Sequence, residues 1–256
     1  MSGERPVALI TGGRRGIGLG IAKALAADGF DIALTGVSEA NTDDPVLSEL
    51  KSTGIEAIYV RSDLADLTSH RSAIDAVTDH FGAIDCLVNN AGIASVVRGD
   101  FLDLDPRNFD TIVGTNLRGT IFFTQAVVRA MLKNEPGFAR SVINITSVSS
   151  TMSSPERLDY CVTKAGLSAF SQGLALRLAE TGVGVFEVRP GVIRSDMTAK
   201  VSEKYDAQIA AGLVPMKRWG EPSDVGAIVS SLASGKFGFA TGSVIDADGG
   251  LSISRL

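Results

Sequence analysis

Three side chains in the run from Ser147 to Lys164, SVSSTMSSPERLDYCVTK, have the types and spacing needed for acid–base chemistry on an oxygen. Tyr160 and Lys164 stand four residues apart, so on a helix expected over residues 161–182 they share a face, one turn apart. A free phenol titrates near pH ~10 and is a poor base at neutrality. An ammonium about 4–5 Å away, at an effective dielectric of about 20, is worth roughly 3–4 kcal/mol, enough to bring the phenol toward working pH. Ser147 is expected at the carboxyl end of a strand over 141–146, where its hydroxyl holds a carbonyl or alcohol oxygen against the tyrosine. Tyr-x-x-x-Lys by itself is commonplace as a surface pair. Its weight depends on the elements that position it.

Residues 6–11, PVALIT, form a short apolar run expected as a strand buried on both faces. Gly12, Gly16 and Gly18 follow in the pattern Thr-Gly-x-x-x-Gly-Ile-Gly, with Ile17 between the last two, and a helix-period segment runs on to Gly29. Strand, glycine turn and helix make a dinucleotide cradle: the backbone can approach a pyrophosphate, and the helix start offers free N–H groups. The alternative is a plain strand-to-helix turn.

Residues 31–35 read as the second parallel strand. Gly36 and Val37 occupy the place where NAD-using folds carry an acid for the ribose 2′-hydroxyl. Arg14 and Arg15 in the glycine turn could neutralise a 2′-phosphate. NADP(H) is therefore the favoured cofactor, with NAD(H) possible should Glu39 or Asp43 swing in. Asp63, with Leu64 beside it, follows a third strand over 56–61; its carboxylate is a candidate acceptor for an adenine amino group or a turn aspartate. A fourth strand over 84–88 leads into Asn89-Asn90-Ala91-Gly92, where small and amide residues permit close contact with a cofactor. One helix is expected over 106–132, carrying Asn116 amid apolar neighbours, to satisfy buried backbone or to take part in catalysis.

At 256 residues the chain suits one large domain burying roughly 70–75 % of its unfolded surface. Alternating strands and helices, with no composition break or linker, predict an α/β fold over residues 1–256: a single doubly wound, Rossmann-type parallel sheet of seven strands with helices on both faces. Gly12, Asp63, Asn90, Ser147 and Pro190 all follow predicted strands and are expected to meet in one crevice. Hydrophobic content of 45 % argues against disorder, and a net charge of -5 gives no field for nucleic acid or anionic lipid, so neither partner is expected. Two cysteines and two histidines are too few for a disulfide framework, a zinc site or a Ser-His-Asp triad. No metal is expected. With the first strand beginning almost at Met1 and no apolar stretch of spanning length, a cytoplasmic protein is expected.

With Thr11-Gly12-(x)3-Gly16-Ile17-Gly18, Asn89-Asn90-Ala91-Gly92, Asn116, Ser147, Tyr160-x-x-x-Lys164 and Pro190-Gly191 in this order, the chain resembles the short-chain dehydrogenase/reductase family over essentially its whole length. The resemblance implies hydride exchange between NAD(P)(H) and a ketone or secondary alcohol. It implies that Tyr160 gives or takes the proton, Lys164 lowers its pKa and binds the nicotinamide ribose, Ser147 orients the substrate oxygen, and Asn116 holds a relay water. Ile193 would meet the carboxamide through its backbone, and Ser195 keeps a hydroxyl where many relatives have threonine. A mobile substrate lid over about 194–219 and a homotetramer are implied as well. Within the family the chain is most similar to the 3-oxoacyl-[acyl-carrier-protein] reductases, which implies an acyl-thioester substrate. Against that stand a charged loop of Pro155, Glu156, Arg157 and Asp159, expected to be solvated but also suited to a sugar or polyol, and a basic surface limited to Arg129, Lys133 and Arg140. A catalytically idle NADPH-sensing module is the reading from another class; it would have no use for Tyr160 and Lys164.

Overall fold

The apolar run after Arg5 becomes β1 (Val7–Thr11), buried at every position, as a strand covered on both faces must be. Alternate side chains face opposite ways: Ala8 and Ile10 join one cluster, Leu9 the other. The computed structural model describes residues 5–39, 43–133, 135–199 and 202–255. Six further strands follow: β2 (Asp31–Gly36), β3 (Ala57–Arg61), β4 (Cys86–Asn89), β5 (Arg140–Ile145), β6 (Val183–Pro190) and β7 (Val244–Ala247). They make one sheet in the order β3-β2-β1-β4-β5-β6-β7, and all six pairings are parallel. The strand order reverses between β1 and β4, so the crevice at their carboxyl ends is where a ligand of such a sheet sits.

The helices are α1 (Gly16–Ala27), α2 (Pro45–Lys51), α3 (Thr68–Phe81), α4 (Pro106–Val113), α5 (Thr120–Met131), α6 (Leu158–Leu178), α7 (Asp196–Ala199), α8 (Ser202–Ala210) and α9 (Pro222–Ala233). Ile21 and Leu25 of α1 and Val225 and Val229 of α9 cover one sheet face. Ile74 and Val77 of α3, Phe123 and Val127 of α5, and Leu178 of α6 cover the other. The seven-stranded, doubly wound α/β architecture read from the sequence is thus the observed one.

Three local departures bear on the site. The single helix expected over 106–132 is interrupted by a π turn at Gly114–Gly119, which holds Asn116. At its end the helix passes hard against the loop after β3, where a Cβ on Gly119 would press into the carbonyl of Leu64. Helix α6 starts at Leu158 rather than 161, placing Tyr160 inside its first turn, and ends at Leu178; a 3-10 turn at Ala179–Thr181 carries the chain to Gly182, whose φ of 74° ends the helical run. Pro190 ends β6 instead of following it. Both cysteines, Cys86 and Cys161, are buried and free. Among the described residues no helix is long and apolar enough to cross a membrane.

Candidate active site

The glycine turn lies flush against the loop after β4. Gly12 has φ 66°, and a Cβ there would sit 3.1 Å from the Ala91 Cα. A Cβ on Gly18 would press into the Gly12 carbonyl and lie 2.6 Å from Asn90 Nδ2. Asn90 Nδ2 donates to the carbonyls of Thr11 (2.9 Å) and Gly12 (3.2 Å), while Thr11 Oγ1 accepts from the N–H groups of Asn90 and Ala91, each at 3.0 Å. Asn90 and Ala91 therefore brace the turn through the backbone. Helix α1 begins without a side-chain cap and with no acidic residue in its first turn. Its first N–H groups are left for an anion, and the space at Gly12 and Gly18 admits no side chain, so these residues fit a dinucleotide pyrophosphate. Gly16 adds a positive φ of 52°, with Ser195 Cβ 3.5 Å from where its own Cβ would stand.

Both arginines of the turn already face carboxylates. Arg14 Nε lies 2.8 Å from Asp44 Oδ2, and its guanidinium lies 4.7 Å from the centroid of the Tyr59 ring. Arg15, exposed, reaches Asp196 Oδ2 at 3.3 Å. Asp63 closes a turn: its Oδ1 accepts from Ala65 N at 2.9 Å, the turn-aspartate arrangement that sequence left open. Leu64 is buried, and its carbonyl meets His70 Nε2 at 3.1 Å.

Ser147, Tyr160 and Lys164 converge at the carboxyl end of β5, beside that cradle. Ser147 Oγ accepts from Ser149 N at 3.0 Å, and the serine is near enough to the Tyr160 hydroxyl to favour its ionised form. Lys164 is 5 % exposed; its Nζ donates to the Ile145 carbonyl at 3.0 Å and lies 5.7 Å from the centroid of the tyrosine ring. The expectation that Lys164 drags the phenol down is not met by the chain's own groups. Burial raises Tyr160 above its ordinary value and outweighs the opposing effects of the nearby Ser147 and the charge of Arg157. Burial also pulls Lys164 down to about 8, with Glu187 opposing. Desolvation penalises the charged form of each group, and this cost outweighs the attraction between them.

Asn116, 1 % exposed, accepts from Ile93 N and donates to Ile93 O, both at 2.8 Å, and its Nδ2 also reaches Thr163 Oγ1 on α6 at 3.4 Å. Ile193 is buried and its carbonyl accepts from Thr198 Oγ1 at 2.9 Å, while Ser195 N donates to that same hydroxyl oxygen at 3.1 Å. Gly191 packs so close to Asp248 that a Cβ would lie 2.7 Å from the aspartate Cβ. Of the segment 194–219, residues 200 and 201 lie outside the described residues; Ile209, Val214 and Trp219 form a small apolar cluster with Val192.

Several residues at the site escaped the sequence reading. Asp159, taken with its loop as solvated, is buried: its Oδ1 accepts from Ser95 Oγ (2.6 Å) and from Tyr160 N (2.7 Å), tying the loop after β4 to the start of α6. Glu187, 1 % exposed on β6, accepts from Thr146 Oγ1 (2.6 Å), Arg189 Nε (2.7 Å) and Ser168 Oγ (2.8 Å) beneath Lys164. A lone carboxylate within the apolar run VGVFEVRP was the available signal. Arg140, named as a basic surface group, is buried on β5.

A family model described as Enoyl-(Acyl carrier protein) reductase matches residues 12–252. The chain is 34% identical over 244 residues to the 3-oxoacyl-[acyl-carrier-protein] reductase FabG of Staphylococcus epidermidis, covering 95% of this chain and 98% of the relative. To the 3-oxoacyl-[acyl-carrier-protein] reductase of Synechocystis sp. it is 35% identical over 246 residues, 96% of each. Among solved structures it is similar to a 3-oxoacyl-[acyl-carrier protein] reductase from Brucella melitensis in complex with NAD, at 65% identity and a TM-score of 0.96 over 99% of both chains. With the sheet order, the glycine cradle and the Ser147–Tyr160–Lys164 cluster already in place, these likenesses show that the chain belongs to the short-chain dehydrogenase/reductase family, the NAD(P)-dependent oxidoreductases acting on C=O and CH–OH groups.

Proposed function

We propose that the chain reduces the 3-oxo group of an acyl thioester, in the manner of a 3-oxoacyl-[acyl-carrier-protein] reductase. The observation that carries this reading is the convergence of Ser147, Tyr160 and Lys164 beside an uncapped glycine cradle, in a chain alike over nearly its full length to proteins so named. Gly12, Gly16, Ile17 and Gly18 hold the pyrophosphate, Asp63 and Leu64 border the adenine, and Asn90, Ala91 and Gly92 set the floor of the crevice. Pro190, Gly191, Ile193 and Ser195 line the nicotinamide end. When bound, the nicotinamide supplies or accepts the hydride. Tyr160 gives or takes the proton at the substrate oxygen, Ser147 hydrogen-bonds that oxygen, and Lys164 binds the nicotinamide ribose. Asn116 fixes Ile93 and is the candidate for a relay water. The cofactor is NAD(P)(H); preference for NADP(H), expected from Arg14 and Arg15, requires one of them to exchange a carboxylate for a 2′-phosphate.

Residues 194–219 are proposed as the substrate lid, with Met197 and Met216 exposed on it. A homotetramer is supported by exposed apolar side chains on the long helices, Phe122, Val162 and Leu176, and by Phe237 and Phe239 ahead of β7. A cytoplasmic location belongs to the same proposal.

A specific observation favours a second reading, a sugar or polyol dehydrogenase of the same family. A cavity of about 360 Å³ next to the start of α6 is lined by Asp100, Asp103, Asp105, Glu156 and Asp159 against a lone Arg98. Carboxylates accept hydrogen bonds from hydroxyls and suit an acyl chain poorly. The test is oxidation of NADPH and NADH with acetoacetyl thioesters and with small keto-sugars. Turnover of the thioester supports the first reading, turnover of keto-sugars alone the second, and silence with tight dinucleotide binding would return the sensor module.

A further inference from the structure

We infer that Asp44, at the start of α2, sets the cofactor preference of this chain by holding Arg14, so that the 2′ position of the adenosine ribose is matched to a hydroxyl and the wild-type protein selects NAD(H). The inference rests on the reading of the glycine turn as a dinucleotide cradle. In a dinucleotide fold the ribose lies beyond the carboxyl end of the second strand. Here that place is occupied by the Arg14 guanidinium, which reaches from the glycine turn across the end of β2 to within 3.5 Å of the Glu39 carbonyl.

Arg14 is held there from several sides. Asp44 Oδ2 lies 2.8 Å from its Nε, and the Tyr59 ring lies 4.7 Å below the guanidinium. Tyr59 is itself anchored, donating its hydroxyl to the Ser38 carbonyl at 2.8 Å. The neighbouring cation is also matched: Arg61 Nε lies 3.2 Å from Glu39 Oε1 and donates to the Val37 carbonyl. Among the described residues, both arginines beyond β2, Arg14 and Arg61, thus already face a carboxylate.

Asp44 differs from Glu39 in burial. It is 1 % exposed, and its Oδ1 accepts from Val46 N at 2.9 Å to cap α2. If Arg14 turned to a 2′-phosphate, Asp44 would remain buried, unpaired and close to a second anion, an arrangement the fold penalises. A ribose hydroxyl asks for no such exchange. The Arg15–Asp196 pair, with side chains 80% and 71% exposed, has no comparable hold, because solvent and salt screen it.

Asparagine caps a helix as well as aspartate does, so Asp44→Asn removes the charge and keeps the bond to Val46. The experiment is calorimetric titration of the purified full-length chain with NAD+ and with NADP+, needing no substrate or turnover. The wild type is expected to bind NAD+ about tenfold or more tighter than NADP+, and Asp44→Asn to narrow that ratio about tenfold, the scale of one close, partly buried ion pair. Asp44→Ser, which also caps, provides the same removal of charge should the asparagine variant fail to fold. In an Arg14→Gln background the Asp44→Asn change is expected to leave the ratio within about threefold, because the effect acts through the guanidinium. A wild type that prefers NADP+, an unchanged ratio in both Asp44 variants, or an equal gain in the Arg14→Gln background would overturn the inference. Failure of the wild type to bind either dinucleotide would remove the cradle itself and this assignment with it.

Discussion

Replacing Lys164 by methionine is expected to make the protein more stable while abolishing turnover. The side chain is 5 % exposed, and burial moves its ammonium from an ordinary 10.5 to about 8 despite the support of Glu187. At about 1.36 kcal/mol for each tenfold change in proton affinity, holding that charge costs the fold about 3 kcal/mol near neutrality. Methionine has a similar length and no charge to desolvate. It leaves the Ile145 carbonyl without the donor now at 3.0 Å, a loss of about 1–3 kcal/mol. The net expectation is a gain of about 1–2 kcal/mol near neutrality, read as a higher urea midpoint of the cofactor-free protein at unchanged m-value. The sign with pH is fixed by the same numbers. Between about 8 and 10.5 the unfolded wild type binds a proton that the folded form has released, so wild-type stability rises through that window relative to the variant. The variant's advantage must therefore shrink and reverse toward pH 10.5. A variant less stable than wild type near neutrality, or an advantage that does not change across the window, would refute the reasoning.

Glu187→Gln removes the charge that opposes the fall of Lys164. Any limb of the pH–rate profile set by Lys164 is expected to move to lower pH, with the variant about 1–3 kcal/mol less stable because Arg189 loses its carboxylate; an unmoved profile would separate Glu187 from the lysine. Gly18→Ala drives a methyl into the Gly12 carbonyl and Asn90, so dinucleotide affinity is expected to fall about tenfold or more in a titration, and full retention would contradict the cradle. The buried Cys86 thiol, pushed up to about 12, is expected to resist a thiol-specific reagent in the folded protein and to react once urea unfolds it.

Residues whose neighbours are close in sequence were legible. Local residues set the bounds of helices α3 and α9: Gly82 with φ 85° ends one, and Pro222 with the Glu221–Asp224 capping box begins the other. The spacing of Tyr160 and Lys164 likewise placed both on one helix. What the sequence concealed depends on distant packing. Asp44 lies 30 positions from Arg14, and β3 must bring Tyr59 beneath the guanidinium before the pairing exists. The π turn that holds Asn116 packs against the carbonyl of Leu64, more than fifty positions earlier. Burial, unknown until the sheet is assembled, reversed the expected direction for Tyr160.

The central claim is that the Tyr160 hydroxyl moves the proton on the substrate oxygen. Its most direct test is the turnover of Tyr160→Phe with a 3-oxoacyl thioester, measured beside the dissociation constant for the dinucleotide. A fall in kcat of about 10²–10⁴-fold with dinucleotide affinity held within about threefold is the predicted result. Turnover within about tenfold of wild type would contradict it.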